Sequence, residues 1–301
     1  MINVTKTFLP PWEEYTTILK RAWDKSWITN NGELLVELEA KLKAELQVNN
    51  LLFCTNGTVV LQMAIKALAL KGEVITTPFS YVATTNSILW ENCTPVFVDV
   101  NVNDFNIDAT KIEASVTPHT TAILATHVYG NPCDTELITA IAAKHNLKVI
   151  YDGAHAFGTL YKGKSLLSYG DISTCSFHAT KLFHTVEGGA IIANDKSVAE
   201  KLVLYRQFGH VYDDYFSVGI NAKNSEFHAA MGLAVLPYIQ QIISKRKAIS
   251  ALYDTLLLSD ELFKPVPLIS TVPNYGYYPV VFKSEDVLLK VKEALASEKV
   301  Y

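Results

Sequence analysis

Between residues 50 and 195, short β-rich apolar segments alternate with longer segments of helical periodicity. Strands that alternate with helices form parallel sheets, and strands that are apolar along their whole length are buried on both faces. The pattern therefore predicts an α/β fold with one large, mainly parallel seven-stranded sheet and helices on both of its faces. The predicted strands are Leu51 to Thr55, Val74 to Thr77, Pro95 to Val100, Ala122 to Val128, Val149 to Asp152, Ile172 to Phe177 and Ala190 to Ala193.

Helical patterns separate and flank these strands, except that the last two strands lie too close in sequence for a helix between them. Those two are therefore predicted to be direct neighbours in the sheet. The charge-free stretch 227–244 contains His228 and Pro237, so it is too polar to span a membrane and predicts a long buried helix bent at Pro237. The predicted helices cover residues 12–23, 33–46, 58–70, 135–145, 196–206 and 225–256.

The end of the sequence predicts the beginning of a second, smaller domain. A short strand at 278–282 and a helix at 284–296 follow the last long helix. One strand and one helix bury too little surface to form a core alone. We expect a large domain at residues 1–235, including the N-terminal helices, and a small, incomplete C-terminal domain at residues 236–301.

Composition excludes several classes of protein. The chain has 301 residues, 49% of them hydrophobic, and a net charge of −4, which is typical of a folded globular protein and excludes a surface that tracks nucleic-acid phosphates. Its four cysteines are far apart, with no CxxC pair, and predict buried thiols in a reducing compartment and no metal site. No export signal or membrane segment is evident, so we expect a cytoplasmic protein with no membrane or nucleic-acid partner.

Chemically useful residues follow several of the predicted strands. Asp152 ends one strand and Lys181 follows the next, while Gly57 and Thr58 begin a helix and Tyr81 follows another strand. The carboxyl ends of parallel strands meet at one edge of a sheet, where ligands collect. A lysine, a carboxylate, a helix N-terminus and an aromatic ring are what pyridoxal phosphate needs for covalent attachment, a protonated ring nitrogen, phosphate binding and stacking.

Taken singly, each of these residues has an ordinary structural explanation. A strand-end aspartate commonly caps a turn, and a lysine after a strand is usually a solvated charge. Gly57 and Thr58 would normally be a plain helix start. The placement of Asp152 and Lys181 after adjacent strands, downstream of a phosphate-type turn, is what favours a cofactor site.

The same residues lie in strings that resemble a known family. In these strings the sequence is similar to the DegT/DnrJ/EryC1/StrS sugar aminotransferases, which act on nucleotide-linked keto sugars. The resemblance implies the aspartate-aminotransferase (type I) fold, pyridoxal 5′-phosphate as cofactor, and a homodimer with active sites at the subunit boundary. The matching strings are Asn56–Thr58, Pro78–Thr84, Asp152–Gly158, Ser176–Lys181, Glu187–Ala190 and Gly219–Glu226.

Position by position, the resemblance implies roles for individual residues. Lys181 would be the catalytic lysine, which binds the cofactor covalently and moves a proton between cofactor and substrate. Asp152 would hold the pyridine nitrogen, and His155 would lie beside the ring hydroxyl. The other implied residues are Gly57, Thr58 and Ser176 at the phosphate, Tyr81 stacked on the ring, Asn221 reaching the phosphate of the other subunit, and Lys223 and Asn224 facing the substrate across the dimer interface.

Three functional hypotheses remain open at this stage. The leading one is transfer of an amino group, with glutamate as donor, to the keto carbon of a nucleotide-linked 6-deoxyhexose, with dTDP preferred, for surface polysaccharide or deoxyamino-sugar biosynthesis. The second is a catalytically silent protein of the same fold that binds or regulates. The third is another type I reaction, such as that of a lyase or desulfurase, which the lack of a cysteine on a suitable loop disfavours. Some relatives carry histidine in place of the catalytic lysine and dehydrate, so Lys181 favours transamination. The sequence leaves open whether C3 or C4 is aminated.

Overall fold

The computed structural model describes residues 1–301 and contains ten helices and fourteen strands. The helices are α1 (Trp12–Asp24), α2 (Glu33–Leu46), α3 (Gly57–Ala67), α4 (Ala83–Trp90), α5 (Ala109–Ile112), α6 (Thr135–His145), α7 (Lys196–Arg206), α8 (Glu226–Val235), α9 (Ile239–Leu256) and α10 (Glu285–Ser297). The strands are β1 (Leu51–Cys54), β2 (Glu73–Thr76), β3 (Thr94–Phe97), β4 (Thr120–Thr126), β5 (Lys148–Asp152), β6 (Leu160–Tyr161), β7 (Lys164–Ser165), β8 (Ile172–Ser176), β9 (Gly189–Ala193), β10 (His210–Val211), β11 (Asp214–Tyr215), β12 (Leu262–Phe263), β13 (Thr271–Val272) and β14 (Val281–Phe282).

The central sheet has seven strands in the order β1-β9-β8-β5-β4-β2-β3. The pairs within β8-β5-β4-β2-β3 are parallel, whereas β9 is antiparallel to both β8 and β1. Strand β1 therefore runs in the same direction as β8, and six of the seven strands end at the same edge. This confirms the predicted sheet, including the direct contact between its last two strands.

Both faces of the sheet are buried, as the uninterrupted apolar strands predict. In β9, Ala190 and Ile192 belong to one apolar cluster, and Ile191 and Ala193 belong to another on the opposite face. The first cluster includes the inner side of α2, and the second includes α3. Since successive strand residues point to opposite faces, apolar residues at every position bury the sheet between two helical layers.

Two helical predictions differ from the structure. The predicted continuous helix at 225–256 is divided into α8 and α9 by a 3₁₀ turn, Leu236–Tyr238, because Pro237 favours a new helix start over the interior of a long one. Within the stretch 227–244 that is predicted to be buried, α8 is largely buried, as expected, whereas α9 is largely exposed. Helix α4 was missed, because its eight residues mix small, polar and apolar side chains without a clear amphipathic period.

The last part of the chain contacts the large sheet domain. Strand β13 pairs with β6, which lies between β5 and β8 in the sequence. The predicted strand at 278–282 is reduced to β14, which pairs with β12. The four cysteines are free and buried, as predicted. No helix combines the length and the apolar character required to cross a membrane.

Candidate active site

A cavity of about 330 Å³ opens at the carboxyl ends of the central strands. This edge is where an open α/β sheet places its ligands, because polar loops diverge there above the strand ends. Seven of the ten residues predicted to form the site line the cavity, namely Gly57, Thr58, Tyr81, Asp152, His155, Ser176 and Lys181. The sheet thus brings together side chains from four separate connections of the chain.

One side of the cavity is the N-terminus of α3. Asn56 caps this helix, since its Oδ1 accepts a hydrogen bond of 2.8 Å from the N–H of Val59. The N–H groups of Gly57 and Thr58 belong to the first turn, where no helix carbonyl precedes them as an acceptor. A Cβ on Gly57 would lie 3.0 Å from the Cβ of Ser176, so glycine lets the helix end approach this serine closely. Exposed amides at a helix N-terminus form a binding site for an anion.

Asp152 lies at the other side of the cavity, at the end of β5, and is only 5% exposed. Its Oδ2 accepts a 2.7 Å hydrogen bond from the hydroxyl of Thr84, and its Oδ1 accepts a 3.1 Å bond from the N–H of Ala154. Thr84 belongs to α4, the helix that the sequence did not predict. The carboxylate is therefore fixed in orientation by its own chain.

A bound cation would stabilise the charged form of Asp152. Burial raises the pKa of this carboxyl above its ordinary value, although the hydrogen bonds from Thr84 and Ala154 and the charge of Lys181 act in the opposite direction. Desolvation penalises the charged form, and a nearby positive charge restores it. A ligand that presents a cationic N–H at this end would therefore stabilise the ionised carboxylate.

His155 lies close to Asp152 in the sequence and lines the same cavity. Its imidazole is held in the neutral form. Burial, together with the nearby charge of Lys181, lowers the pKa of His155 from its ordinary 6.5 to about 3. Its Nδ1 is buried and has no hydrogen-bond partner within the chain. The hydroxyl of Thr126, which also lines the cavity, is buried without a partner too. Unpaired polar atoms of this kind are costly unless a ligand or water bonds them.

Lys181 follows β8 in a short turn, where its N–H bonds the carbonyl of His178 at 2.9 Å. The side chain is half-buried, and its Nζ donates a 3.4 Å hydrogen bond to the hydroxyl of Tyr277. The ring of Tyr277 lies 4.4 Å from the ring of His155, measured between centroids. The site therefore has a primary amine in its wall, between a buried carboxylate and an aromatic group.

Three predicted residues lie outside this cavity. Asn221 is exposed, and its Oδ1 accepts a 3.0 Å hydrogen bond from Nζ of Lys223. Asn224 is buried, and its amide bonds the carbonyls of Cys54 and Glu187 at 3.2 and 3.1 Å. Asn224 thus fixes the loop to its own chain, and its contact with substrate across the dimer interface stays a prediction.

Comparison with known proteins identifies the chain. The sequence profile of the DegT/DnrJ/EryC1/StrS aminotransferase family matches residues 12–301. The chain belongs to this family. The sequence resemblance is thereby confirmed, and so is the fold, because the α/β architecture and the mainly parallel sheet are those of its sugar aminotransferases.

Several similar proteins of this family are named as transaminases of nucleotide sugars. The chain is 42% identical over 286 residues to dTDP-4-amino-4,6-dideoxy-D-glucose transaminase of Shigella dysenteriae, covering 94% of this chain and 78% of that protein. It is 43% identical over 284 residues to the enzyme of the same name from Escherichia coli, covering 93% and 76%. The crystal structure of DesI in the presence of its TDP-sugar product superimposes with a TM-score of 0.91 at 30% identity, covering 97% of this chain and 76% of that one.

The cavity fits the cofactor of this aminotransferase family, pyridoxal phosphate. An anion site at the α3 N-terminus suits a phosphate, and the buried carboxylate of Asp152 suits a protonated ring nitrogen. The unpaired Nδ1 of His155 can bond a polar ring substituent. Tyr81 is 79% exposed although it lines the cavity, so one face of its ring is free to stack on a ligand. The chemistry of these groups suits the phosphate, the ring nitrogen and the ring face of the cofactor.

Two residues of this site escaped the sequence analysis. Thr84 is the last residue of the matched string 78–84, and only its hydrogen bond to Asp152 distinguishes it from an ordinary helix threonine. Tyr277 lies in the region assigned to a second domain, 96 positions from Lys181 in the sequence. Nothing in the local pattern around Tyr277 signals that contact, because it depends on how the C-terminal segment returns to the sheet.

Proposed function

We propose that this nucleotide-sugar aminotransferase transfers an amino group from glutamate to C4 of a dTDP-linked 4-keto-6-deoxyhexose. The observation that carries the proposal is the placement of Lys181 and Asp152 in one cavity with a helix N-terminus, which is the apparatus of a transaminase. The names of the Shigella and E. coli relatives support dTDP and amination at C4. The product would serve deoxyamino-sugar or surface-polysaccharide biosynthesis. The free cysteines support a reducing compartment, and we propose the cytoplasm.

When bound, pyridoxal phosphate supplies a reactive aldehyde carbon and an electron-accepting ring. Gly57, Thr58 and Ser176 would hold its phosphate at the α3 N-terminus. Asp152 would keep the ring nitrogen protonated through a charge-assisted hydrogen bond. Thr84 and Ala154 maintain the orientation of that carboxylate, because both of its oxygens accept hydrogen bonds from them.

Lys181 would act twice at the same nitrogen. Its Nζ would bind the cofactor covalently between turnovers and would then, as a free amine, move a proton between the donor or sugar carbon and the cofactor. His155 would orient the ring through a hydrogen bond, since burial keeps its imidazole uncharged. Tyr81 would cover one face of the ring, which restricts water and fixes the plane of the reacting system.

The remaining predicted residues support a homodimer with shared active sites. Asn221 and Lys223 bond each other outside the cavity of their own chain, so their polar ends are available to another molecule. The neighbouring hairpin β10–β11 exposes a group of large apolar side chains, which favours burial against a partner. These are Phe208, Val211, Tyr212, Tyr215, Phe216 and Val218.

The test is amino transfer by the purified protein. We would incubate it with pyridoxal phosphate, ¹⁵N-labelled glutamate and the dTDP-linked 4-keto-6-deoxyhexose, and detect a ¹⁵N-labelled dTDP-amino sugar by mass spectrometry. Lys181→Ala is the control and should yield no labelled sugar. If the protein binds the cofactor but transfers no amino group to the keto sugar, a binding or regulatory role would be favoured instead.

A panel of substrates tests the identity of the sugar separately from the type of reaction. The same 4-keto-6-deoxyhexose linked to dTDP, UDP or GDP tests the nucleotide, and a dTDP-linked 3-keto sugar tests the position. We expect the highest kcat/KM with the dTDP-linked 4-keto sugar. A preference for another nucleotide or for the 3-keto sugar would contradict the substrate proposed here and leave the transaminase chemistry in place.

A further inference from the structure

Tyr277 is the side chain that approaches the amine of Lys181. Its hydroxyl accepts a hydrogen bond of 3.4 Å from Nζ of Lys181, and this is the hydrogen bond that the lysine side chain makes within the chain. Lysine has a long stem with many rotamers, so an amine without a partner samples many positions. The contact with Tyr277 selects one of them, in the wall of the cavity.

The backbone that carries Tyr277 is anchored to the large domain. Asn274 is 2% exposed, and its amide nitrogen donates hydrogen bonds of 2.8 Å to the carbonyls of both His155 and Phe157. Its Oδ1 accepts a 2.8 Å bond from the N–H of Gly276, whose carbonyl accepts a 2.9 Å bond from Arg246. The residue immediately before Tyr277 is therefore held from two sides.

The ring of Tyr277 is also fixed by packing. Its centroid lies 4.4 Å from that of His155 at an interplanar angle of 45°, and 5.8 Å from that of Tyr129. Tilted aromatic contacts at these distances are favourable and specify orientation. The hydroxyl is thus presented to Lys181 by a rigid group, although it comes from a part of the chain that the sequence assigns to another domain.

We infer that Tyr277 is a positioning residue for Lys181: its hydroxyl holds the Lys181 amine in place and stays bonded to it whether or not the amine is protonated. A phenol can accept a hydrogen bond from an ammonium group and donate one to a neutral amine. Tyr277 therefore positions the nitrogen before it attacks and keeps a proton partner beside it. This inference rests on the role proposed above for Lys181.

The test compares two forms of the cofactor on cofactor-free protein. Pyridoxal phosphate reacts with Lys181, whose nitrogen bonds to the aldehyde carbon while the aldehyde oxygen leaves as water. Pyridoxamine phosphate has no aldehyde and can only bind. Tyr277→Phe removes the hydroxyl and keeps the ring against His155. The matched control is Tyr278→Phe, because the Tyr278 hydroxyl bonds Asp254 at 2.8 Å instead of Lys181.

We expect Tyr277→Phe to slow the covalent capture of pyridoxal phosphate about tenfold, measured by stopped-flow absorbance. Its affinity for pyridoxamine phosphate, measured by fluorescence titration, should equal that of the wild type. Tyr278→Phe should change neither quantity. Tyr277→His, which replaces the hydroxyl with a ring nitrogen able to bond an amine, should recover part of the capture rate. Thermal unfolding of each variant checks that it is folded at the assay temperature.

Three results would overturn the inference. If Tyr277→Phe captures pyridoxal phosphate at the wild-type rate, the hydroxyl does not position the lysine. If the variant loses capture rate and pyridoxamine phosphate affinity equally, Tyr277 only shapes the cavity. Peptide mapping after borohydride reduction identifies the lysine that is labelled. If the wild type labels a lysine other than Lys181, the proposed function of that residue fails and this inference fails with it. If Lys181 is labelled and Tyr277→Phe behaves as the wild type, only this inference fails.

Discussion

The two ends of the active-site cavity are built in opposite ways. At the closed end, Asp152 is 5% exposed and Thr84 is fully buried, and the carboxylate has both oxygens bonded by its own chain. At the open end, Tyr81 is 79% exposed. Outside the cavity, Nζ of Lys223 donates a hydrogen bond to Asn221 and lies 4.8 Å from the centroid of the Phe208 ring. One chain completes the end proposed to act on the ring nitrogen, whereas the other end leaves the ring of Tyr81 exposed to a ligand or a partner.

The difference follows from how each end is supported. The closed end uses the last residue of a central strand and a helix packed over it, so its geometry is fixed by the core. The open end uses the loop after β2, where Tyr81 is largely exposed. A side chain on a rigid element suits a charge that must be placed accurately, whereas side chains on exposed loops are free to contact substrates and partner subunits. The following four predictions test this contrast, from the largest expected effect to the smallest.

Asp152→Asn should have the largest effect on catalysis. The amide is nearly the same shape but cannot keep the ring nitrogen protonated, so we expect turnover to fall about a hundredfold, equivalent to about 2.7 kcal/mol. Steady-state amino transfer to the dTDP-linked keto sugar measures this. A fall of less than about tenfold would be too small for the proposed role of this carboxylate.

Thr84→Val should reduce turnover less, by about tenfold, because it removes one of two donors to the carboxylate. The hydrogen bond from Thr84 lowers the pKa of Asp152, so its loss raises that pKa further. The acid limb of the pH–rate profile should therefore move to higher pH. Thr84→Ser keeps the hydroxyl and should restore both the rate and the profile. A profile that does not move in Thr84→Val would assign the threonine a purely structural role.

The proposal that a partner subunit completes the open end is tested by mixing two variants, each expected to be impaired. Lys181→Ala and Asn221→Ala, co-expressed, should form heterodimers with one intact site each. Activity should return to about a quarter of the wild type if subunits assort randomly and each site takes one residue from each chain. The test requires that both single variants are folded and that Asn221→Ala alone is strongly impaired. Heterodimers that regain nothing would place Asn221 in its own chain's site or in a structural role.

The smallest effect concerns the stability of the cofactor-free protein. Burial raises the folded-state pKa of Asp152, so the folded chain retains a proton that the unfolded chain loses as pH rises above the ordinary value of 3.8. Stability should therefore fall as pH rises from that value through the raised pKa, and it should stay lower above it. Asp152→Asn removes this penalty and should raise the melting temperature at neutral pH by about 2 °C, with no gain in acid below both pKa values. An equal gain at all pH values would point to packing instead of charge.

The fold and the closed end of the site were largely predictable, and the reasons are local. Uninterrupted apolar strands and amphipathic helices specify the sheet, and the strand ends then bring Asp152 and Lys181 to one edge. Helix α4 escaped because its eight residues carry no clear period, and with it the contact between Thr84 and Asp152 was missed. The sequence predicts a bend at Pro237, and the structure has a 3₁₀ turn there that separates α8 from α9.

The sequence by itself determined the mainly parallel sheet, the family and the residues proposed to hold the cofactor. Short-range patterns along the chain encode all three. Only the tertiary structure decided that Asn224 turns into its own chain, that Thr84 bonds Asp152, and that Tyr277 reaches Lys181. These contacts join residues that are 170, 68 and 96 positions apart. Such contacts depend on the exact placement of packed elements, for which a single sequence contains no local signal.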